Sequence, residues 1–312
     1  MKQFLIKTAF VILVIIAIHA FAGLFADGTT DAYYLRFTGE RRSSMILGTS
    51  RAAQGIIPSV MEPIICSKYD HITLFNFSFT LGHSPYGPTY LRAIEGKLDV
   101  RSIDGLFILA VDPWALSAKK DGNQFSFTEA DNALGKQCLF IGTPNYEYLV
   151  RNLPYGWGSL IGGPLHDIDT TSILHADGWL EMRIDTCEEI CHRRAEAKLE
   201  YYRTKVMPNR APCEDRIGYL RKTVELLKEH GMVILVRIPV GQGIQLLEDS
   251  IWPSFNEDVR NMSGEMDVQY MDYSGWTDDF QYTDGNHLTP NSAIRFSREL
   301  AEVISVEESK VR

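Results

Sequence analysis

The chain has 312 residues, 45% hydrophobic and 23% charged, with 31 Lys and Arg against 40 Asp and Glu for a formal net charge of −9. That length supports one large α/β domain with an insertion, or two modest domains. The acidic balance and the lack of any basic stripe exclude a phosphate-backbone binder, so no nucleic-acid partner is expected.

Beyond Lys2 and Lys7, the run Thr8 to Ala26 (TAFVILVIIAIHAFAGLFA) contains no Asp, Glu, Lys or Arg. At helical rise such a run covers about 28 Å, close to the hydrocarbon thickness of a bilayer. The lysines flank its N-terminal side, so the positive-inside tendency puts the N-terminus in the cytoplasm and residues 27–312 outside. Residues 1–26 are therefore expected to be a single-pass membrane anchor or a cleaved signal segment. Ala20-Phe21-Ala22 has the small-x-small form of a cleavage site, whereas the apolar run is longer than a usual signal core. Export to the cell membrane or beyond follows in either case.

SMILGT (44–49) reads as a first buried strand, followed by an irregular helix through RAAQGIIPSVMEPII. HITLFNFSF (71–79) is a second strand, and a helix opens near Pro88, where proline suits a first turn. DGLFILAVD (104–112) is a third strand, apolar on both faces, as a sheet covered by helices on both sides requires. From about 117 to 204 the periodicity weakens amid Gly and Pro clusters, and this stretch is expected to be a large insertion over one end of the sheet.

Regularity returns in CEDRIGYLRKTVELLKEHG, with Ile217, Leu220, Val224 and Leu227 on one helical face and Gly231 at the place of a left-handed cap. MVILVRIP (232–239) is the fourth strand; a short helix is expected near 255–263 and a fifth strand at 268–274. Thr289-Pro290 reads as an N-cap and first-turn proline opening a last helix through about Val303. Strands alternating with helices in this way give a three-layer α/β domain with a parallel sheet. Its crevice lies beyond the carboxyl ends of the strands, where Ser50, Gly82 and Asp112 fall.

The five cysteines (66, 138, 187, 191 and 213) are an odd number for an exported chain, so at least one is unpaired. Cys191 could bridge to Cys187 or Cys213. No second ligand pair of metal-site spacing accompanies Cys187 and Cys191, and His166 and His175 have no such partner either, so no metal is expected.

TDGNHLTP (283–290) carries the chemistry. Asp284 and His287, three residues apart in a polar loop before the last helix, allow the carboxylate to accept from Nδ1–H while Nε2 faces the crevice. A serine at the end of the first strand, Ser50, would then be activated as a nucleophile. The alternative readings are plain: Ser50 as an N-cap, Asp284-Gly285 as a turn and His287 as a surface residue.

This order of residues resembles the SGNH (GDSL-type) hydrolase superfamily. Gly48-Thr49-Ser50 is similar to its Gly-Asp-Ser block, and Asp284-Gly285-Asn286-His287 matches its Asp-x-x-His block. The resemblance implies a flavodoxin-like sandwich with a five-stranded parallel sheet, no cofactor, and a Ser50–His287–Asp284 triad, and it leaves the large insertion after the third strand unexplained. It makes Gly82, in Asn76-Phe77-Ser78-Phe79-Thr80-Leu81-Gly82, the oxyanion donor beside the Ser50 amide.

The family's Gly-x-Asn-Asp block is not matched. Ala110-Val111-Asp112-Pro113 stands in its place, and an ionised Asp112 would repel an oxyanion; either another group, such as an amide near Trp114, supplies the missing donor or activity is weak. Within the superfamily, the N-terminal anchor, Gly-Thr-Ser-Arg and Asp177-Gly178-Trp179 look most like bacterial cell-surface acyl-transfer proteins. That implies a serine esterase or O-acyltransferase acting on an acylated glycan or small ester, beside a membrane-bound O-acyltransferase. Arg51, His83, Asp112 and Trp179 are the expected substrate contacts, Arg51 otherwise being a helix-surface cation and Trp179 ordinary packing. A non-catalytic surface binding or assembly module, or a carbohydrate-binding accessory, are the other classes.

Overall fold

The computed structural model describes residues 1–29, 31, 33–66, 72–122, 124–154, 156–162 and 171–307. His71 and His166 lie outside the described residues. Helix α1 (Lys2–Gly23) is exposed along almost its whole length, with only Ala22 and Gly23 buried. It is long and apolar enough to cross a membrane.

The domain begins with β1 (Ser44–Leu47), α2 (Ser50–Gly55), α3 (Pro58–Ile65), β2 (Leu74–Asn76), α4 (Pro88–Lys97) and β3 (Gly105–Ala110). The next segment holds β4 (Ser117–Asp121), β5 (Gln124–Ser126), α5 (Ala133–Lys136), α6 (Tyr146–Asn152), α7 (Ser159–Gly162), β6 (Ser172–Leu174), β7 (Leu180–Met182), α8 (Glu188–Tyr201) and β8 (Arg210–Pro212). The chain then completes the domain with α9 (Glu214–Lys228), β9 (Gly231–Arg237), α10 (Gln242–Ile251), α11 (Phe255–Glu265), β10 (Gln269–Asp272) and α12 (Pro290–Glu307).

One five-stranded sheet, in the order β10-β9-β3-β1-β2, is parallel throughout. Counting only its own strands along the chain, the order is 2-1-3-4-5, a doubly wound arrangement whose crevice forms at the strands' carboxyl ends. Alternate residues feed two cores. Met45, Leu47, Phe107, Leu109 and Leu235 meet α4, α9 and α11 through Tyr90, Leu220, Val224 and Val259. Ile46, Leu106, Ile108, Ile234 and Val236 meet α3 and α12 through Met61, Ile65, Phe296 and Leu300. Fully buried strands explain the nearly continuous apolar runs in the sequence.

Several details differ from expectation. Gly231 does not cap α9; it opens β9 opposite Gly105, where an added Cβ would sit 2.0 Å from the Gly105 carbonyl oxygen. Close approach of two backbones therefore explains that glycine. The second strand is shorter than 71–79, although Phe77 N still donates to Ile46 O at 2.8 Å beyond its end. The stretch after β9 forms α10, a helix the periodicity did not announce. All five cysteines are free thiols, Cys213 buried at the start of α9 and Cys187 exposed, so neither disulfide forms. The antiparallel sheet β5-β4-β8 draws Arg210–Pro212 into the inserted segment, past the expected boundary near 204.

Candidate active site

The turn from β1 into α2 is built to present Ser50. Gly48 has φ +147°, and an added Cβ would meet Ala110 Cβ at 2.8 Å, so the chain turns here against the neighbouring strand. The Tyr90 hydroxyl accepts from Gly48 N at 3.0 Å and donates to Phe77 O at 2.7 Å, while the Ser84 hydroxyl donates to Gly48 O at 2.7 Å. Thr49 takes the N-cap position of α2 and Ser50 is its first residue, half-buried. Ser50 is thus not the cap that the simpler reading made it.

The opposing loop positions itself. Asp284 Oδ1 accepts from the backbone amides of Asn286 and His287, both at 3.0 Å, which closes a turn that Gly285 enters at φ +76°. Gly285 O accepts from Gly241 N at 2.8 Å, and Thr283 N donates to His287 O at 2.9 Å, so the loop is tied to the N-cap of α10 and to itself.

These two turns bring three side chains together. Ser50 Oγ and His287 Nε2 are 2.8 Å apart, and His287 Nδ1 lies 3.0 Å from both oxygens of Asp284. An ionised carboxylate can only accept, so the proton sits on Nδ1 and Nε2 presents a lone pair to the serine hydroxyl. Burial opposes ionisation of Asp284, but His287 and then Lys198 outweigh it and hold its carboxyl well below the usual carboxylate range. Lys198 on α8 donates to Asp284 Oδ2 at 2.8 Å. Asn286 Nδ2 also stands 3.2 Å from His287 Nε2.

Ser50, Gly82 and His287 share one cleft of about 590 Å³ with Lys198, Tyr202 and Arg210. The inserted segment supplies the last three, so it walls the cleft. Gly82 is exposed, its carbonyl accepts from Asn132 Nδ2 at 2.6 Å, and its amide has no partner among the described residues. A second cleft of about 550 Å³, lined by Cys191, Gly241, Tyr282 and Gly285, has neither Ser50 nor His287 on its wall.

The expected substrate contacts fare differently. Arg51 is 4% exposed: its guanidinium donates to Asn286 Oδ1 at 2.7 and 3.1 Å and pairs with Glu248 at 2.5 Å, so it is neither a surface cation nor free for a substrate. Arg237 joins the same buried group through Glu248 at 3.0 Å. Asp112 is also 4% exposed and accepts from Ala115 N at 2.8 Å, so it does not reach the cleft either. Burial pushes its carboxyl pKa up, with Arg51 partly offsetting the effect. The amides of Ala115 and Leu116 are both spent on Asp112, so they do not replace the missing donor near Trp114.

His83 is half-buried, shares a hydrogen bond of 2.7 Å with the Thr80 hydroxyl and stacks on Tyr33. Trp179 donates from its indole to Gln54 O at 3.0 Å, and Asp177 O accepts from Asn76 N at 2.8 Å. The Asp177-Gly178-Trp179 segment therefore fastens the edge at β2, and Trp179 does not line the cleft as a substrate contact. Among the described residues, no group of three His, Cys, Asp or Glu is gathered for a metal ion.

Sequence reasoning missed Lys198 and Asn286. Asn286 lay inside the recognised loop and could have been weighed as a neighbour of the imidazole. Lys198 is 86 residues from Asp284 in an aperiodic region and left no signal. No family model matches the chain, and no curated protein matches it.

Proposed function

We propose that this chain is a membrane-anchored, extracytoplasmic serine esterase or O-acyltransferase of the SGNH type, acting on acyl esters of a cell-surface glycan or polymer. The observation that carries the reading is the continuous Ser50–His287–Asp284 hydrogen-bond chain with contacts of 2.8 and 3.0 Å. The 2-1-3-4-5 strand order and the position of both turns at the strands' carboxyl ends support it.

In this mechanism Ser50 Oγ attacks the ester carbonyl carbon as His287 Nε2 takes its proton. The tetrahedral oxyanion is received by the amides of Ser50 and Gly82. His287 then returns the proton to the departing alcohol, leaving acyl-Ser50. Water, or an acceptor hydroxyl, attacks the acyl-enzyme with the same proton relay in reverse, which separates hydrolysis from transfer. Asp284 holds the tautomer and offsets the imidazolium charge. No cofactor is required, and a membrane-bound O-acyltransferase is the natural neighbour for a transfer role.

A binding or assembly module of the same fold is the second reading. What favours it is that Asp112 stands where the superfamily has an asparagine donor. Following an acyl donor with and without a glycan acceptor tests the proposal. Ser50→Ala is expected to lower kcat/KM by at least about 1,000-fold in both formats. Turnover that survives this substitution, or no turnover by the unaltered protein, would leave only the binding reading.

A further inference from the structure

The C-terminal end of α1 does not stand clear of the domain. His19 meets the Trp157 ring edge-on with centroids 4.8 Å apart, and the Tyr146 hydroxyl donates to Ala20 O at 2.7 Å. Gly23 lies so close to Tyr146 that an added Cβ would sit 2.5 Å from the ring. The His19 and Ala20 contacts fall four and three residues before α1 ends, which at helical rise is about 4.5–6 Å back along the apolar helix. If α1 crosses a bilayer, the α6–α7 segment cannot clear the membrane surface.

The side chains around these contacts suit that depth. Val150 is 73% exposed, and Ile161 and Leu139 are each 55% exposed, while Leu24 and Phe25 stay open to solvent at the end of the helix. The ionic groups on α6, Glu147 and Arg151, pair with each other at 3.2 Å. Tyrosine and tryptophan prefer the headgroup level, where an apolar ring body and a polar tip are both satisfied.

We propose that the α6–α7 segment is a membrane-seating collar, with Tyr146, Val150, Trp157 and Ile161 placed in the headgroup–acyl boundary of the outer leaflet. The occupant of this face is lipid, because the face is continuous with the apolar surface of α1. The collar also touches the cleft by a short route. α6 packs on α5, and Asn132, which caps α5, donates to the Gly82 carbonyl at 2.6 Å. The proposal is independent of the chemistry at Ser50.

The test uses the full chain reconstituted in phosphatidylcholine vesicles, with bromine placed at shallow acyl positions. The fluorescence of Trp157 is taken as the difference between the unaltered chain and Trp157→Phe. Shallow bromine is expected to quench at least about half of that signal, as ring burial in the interface requires. The double variant Val150→Asp/Ile161→Asp changes only exposed positions; it is expected to stay carbonate-resistant through α1 and to lose most of the quenching. An unquenched Trp157 in a carbonate-resistant chain would overturn the collar and leave the span. Equal quenching in the double variant would show that Val150 and Ile161 do not seat this face and would overturn the collar as drawn, and extraction of the chain by carbonate would end both.

Discussion

Lys198 Nζ lies 2.8 Å from Asp284 Oδ2, so a cation from the inserted segment touches the carboxylate that orients His287. The lysine side chain is 29% exposed and the aspartate 15%, which leaves the contact partly screened. Asn286 N donates to Asp284 Oδ1, and Cys191 and the buried Tyr202 also feel the Asp284 charge. The ammonium competes with the imidazolium for the same carboxylate, and so it disfavours the form that carries an extra proton. Replacing it with a neutral side chain of similar length, Lys198→Met, lets the Asp284–His287 pair bind that proton more readily. The acid limb of the kcat/KM–pH profile is expected to move to higher pH by about one unit. Lys198→Arg is expected to restore the original limb. An unmoved limb in Lys198→Met would mean that the contact only holds α8 in place.

Asn286 Nδ2 stands 3.2 Å from His287 Nε2 while Arg51 fixes the amide through its oxygen at 2.7 Å. Asn286→Asp keeps the shape and the bond to Arg51 but turns a donor into an acceptor beside Nε2. The new carboxylate favours a protonated imidazole and draws it from Ser50. Activity at neutral pH is expected to fall about tenfold or more, with the acid limb again displaced upwards. A rate profile identical to that of the unaltered protein would remove Asn286 from the site.

Tyr90 is fully buried, and its hydroxyl links Gly48 N at 3.0 Å to Phe77 O at 2.7 Å. Tyr90→Phe leaves that amide and carbonyl unpaired in the core beneath the nucleophile turn. Denaturant unfolding is expected to show a loss of about 1–3 kcal/mol. Loss of less than about 0.5 kcal/mol would mean that the turn is held by other contacts.

Lys97 is 0% exposed, with Nζ donating to Thr38 O at 2.5 Å and to Phe140 O at 3.0 Å. Burial, and then Arg42, lowers its pKa from 10.5 to about 7. Between these values the unfolded chain binds more protons than the native one, so stability rises with pH across that window. The contribution of this one group is about 1.4 kcal/mol per pH unit. Below pH 7 both states are protonated and the dependence vanishes. Lys97→Met is expected to flatten the slope between pH 7 and 9 in denaturant titrations. An unchanged slope would show that the ammonium is solvated.

Much of this was legible in the chain because it is written locally. Met45 to Leu47 and Leu106 to Ala110 are apolar on both faces, and that alone requires helices above and below a parallel sheet. Ser50 lies two residues after a glycine at a strand end, and Asp284 and His287 lie within one turn, so the three could be picked before their distances were known. Arg51 could not be placed. Its partners Glu248, Asn286 and Asp112 come from three distant segments, and a cation on a short helix looks the same whether it faces solvent or a buried carboxylate. Trp179 takes the ordinary packing role, illegible in the sequence for a related reason. An Asp-Gly-Trp turn carries no mark of the edge strand it fastens. Lys198 belongs to a helix whose register against Asp284 is set only by tertiary packing.

The most direct test of the central claim is covalent labelling of the full chain by a fluorophosphonate, read by peptide mass spectrometry. Stoichiometric phosphonylation at Ser50, abolished in Ser50→Ala and reduced at least about 100-fold in rate by His287→Ala, is the predicted result. Labelling that persists in Ser50→Ala, or a Ser50 that stays unmodified in a folded protein, would contradict it.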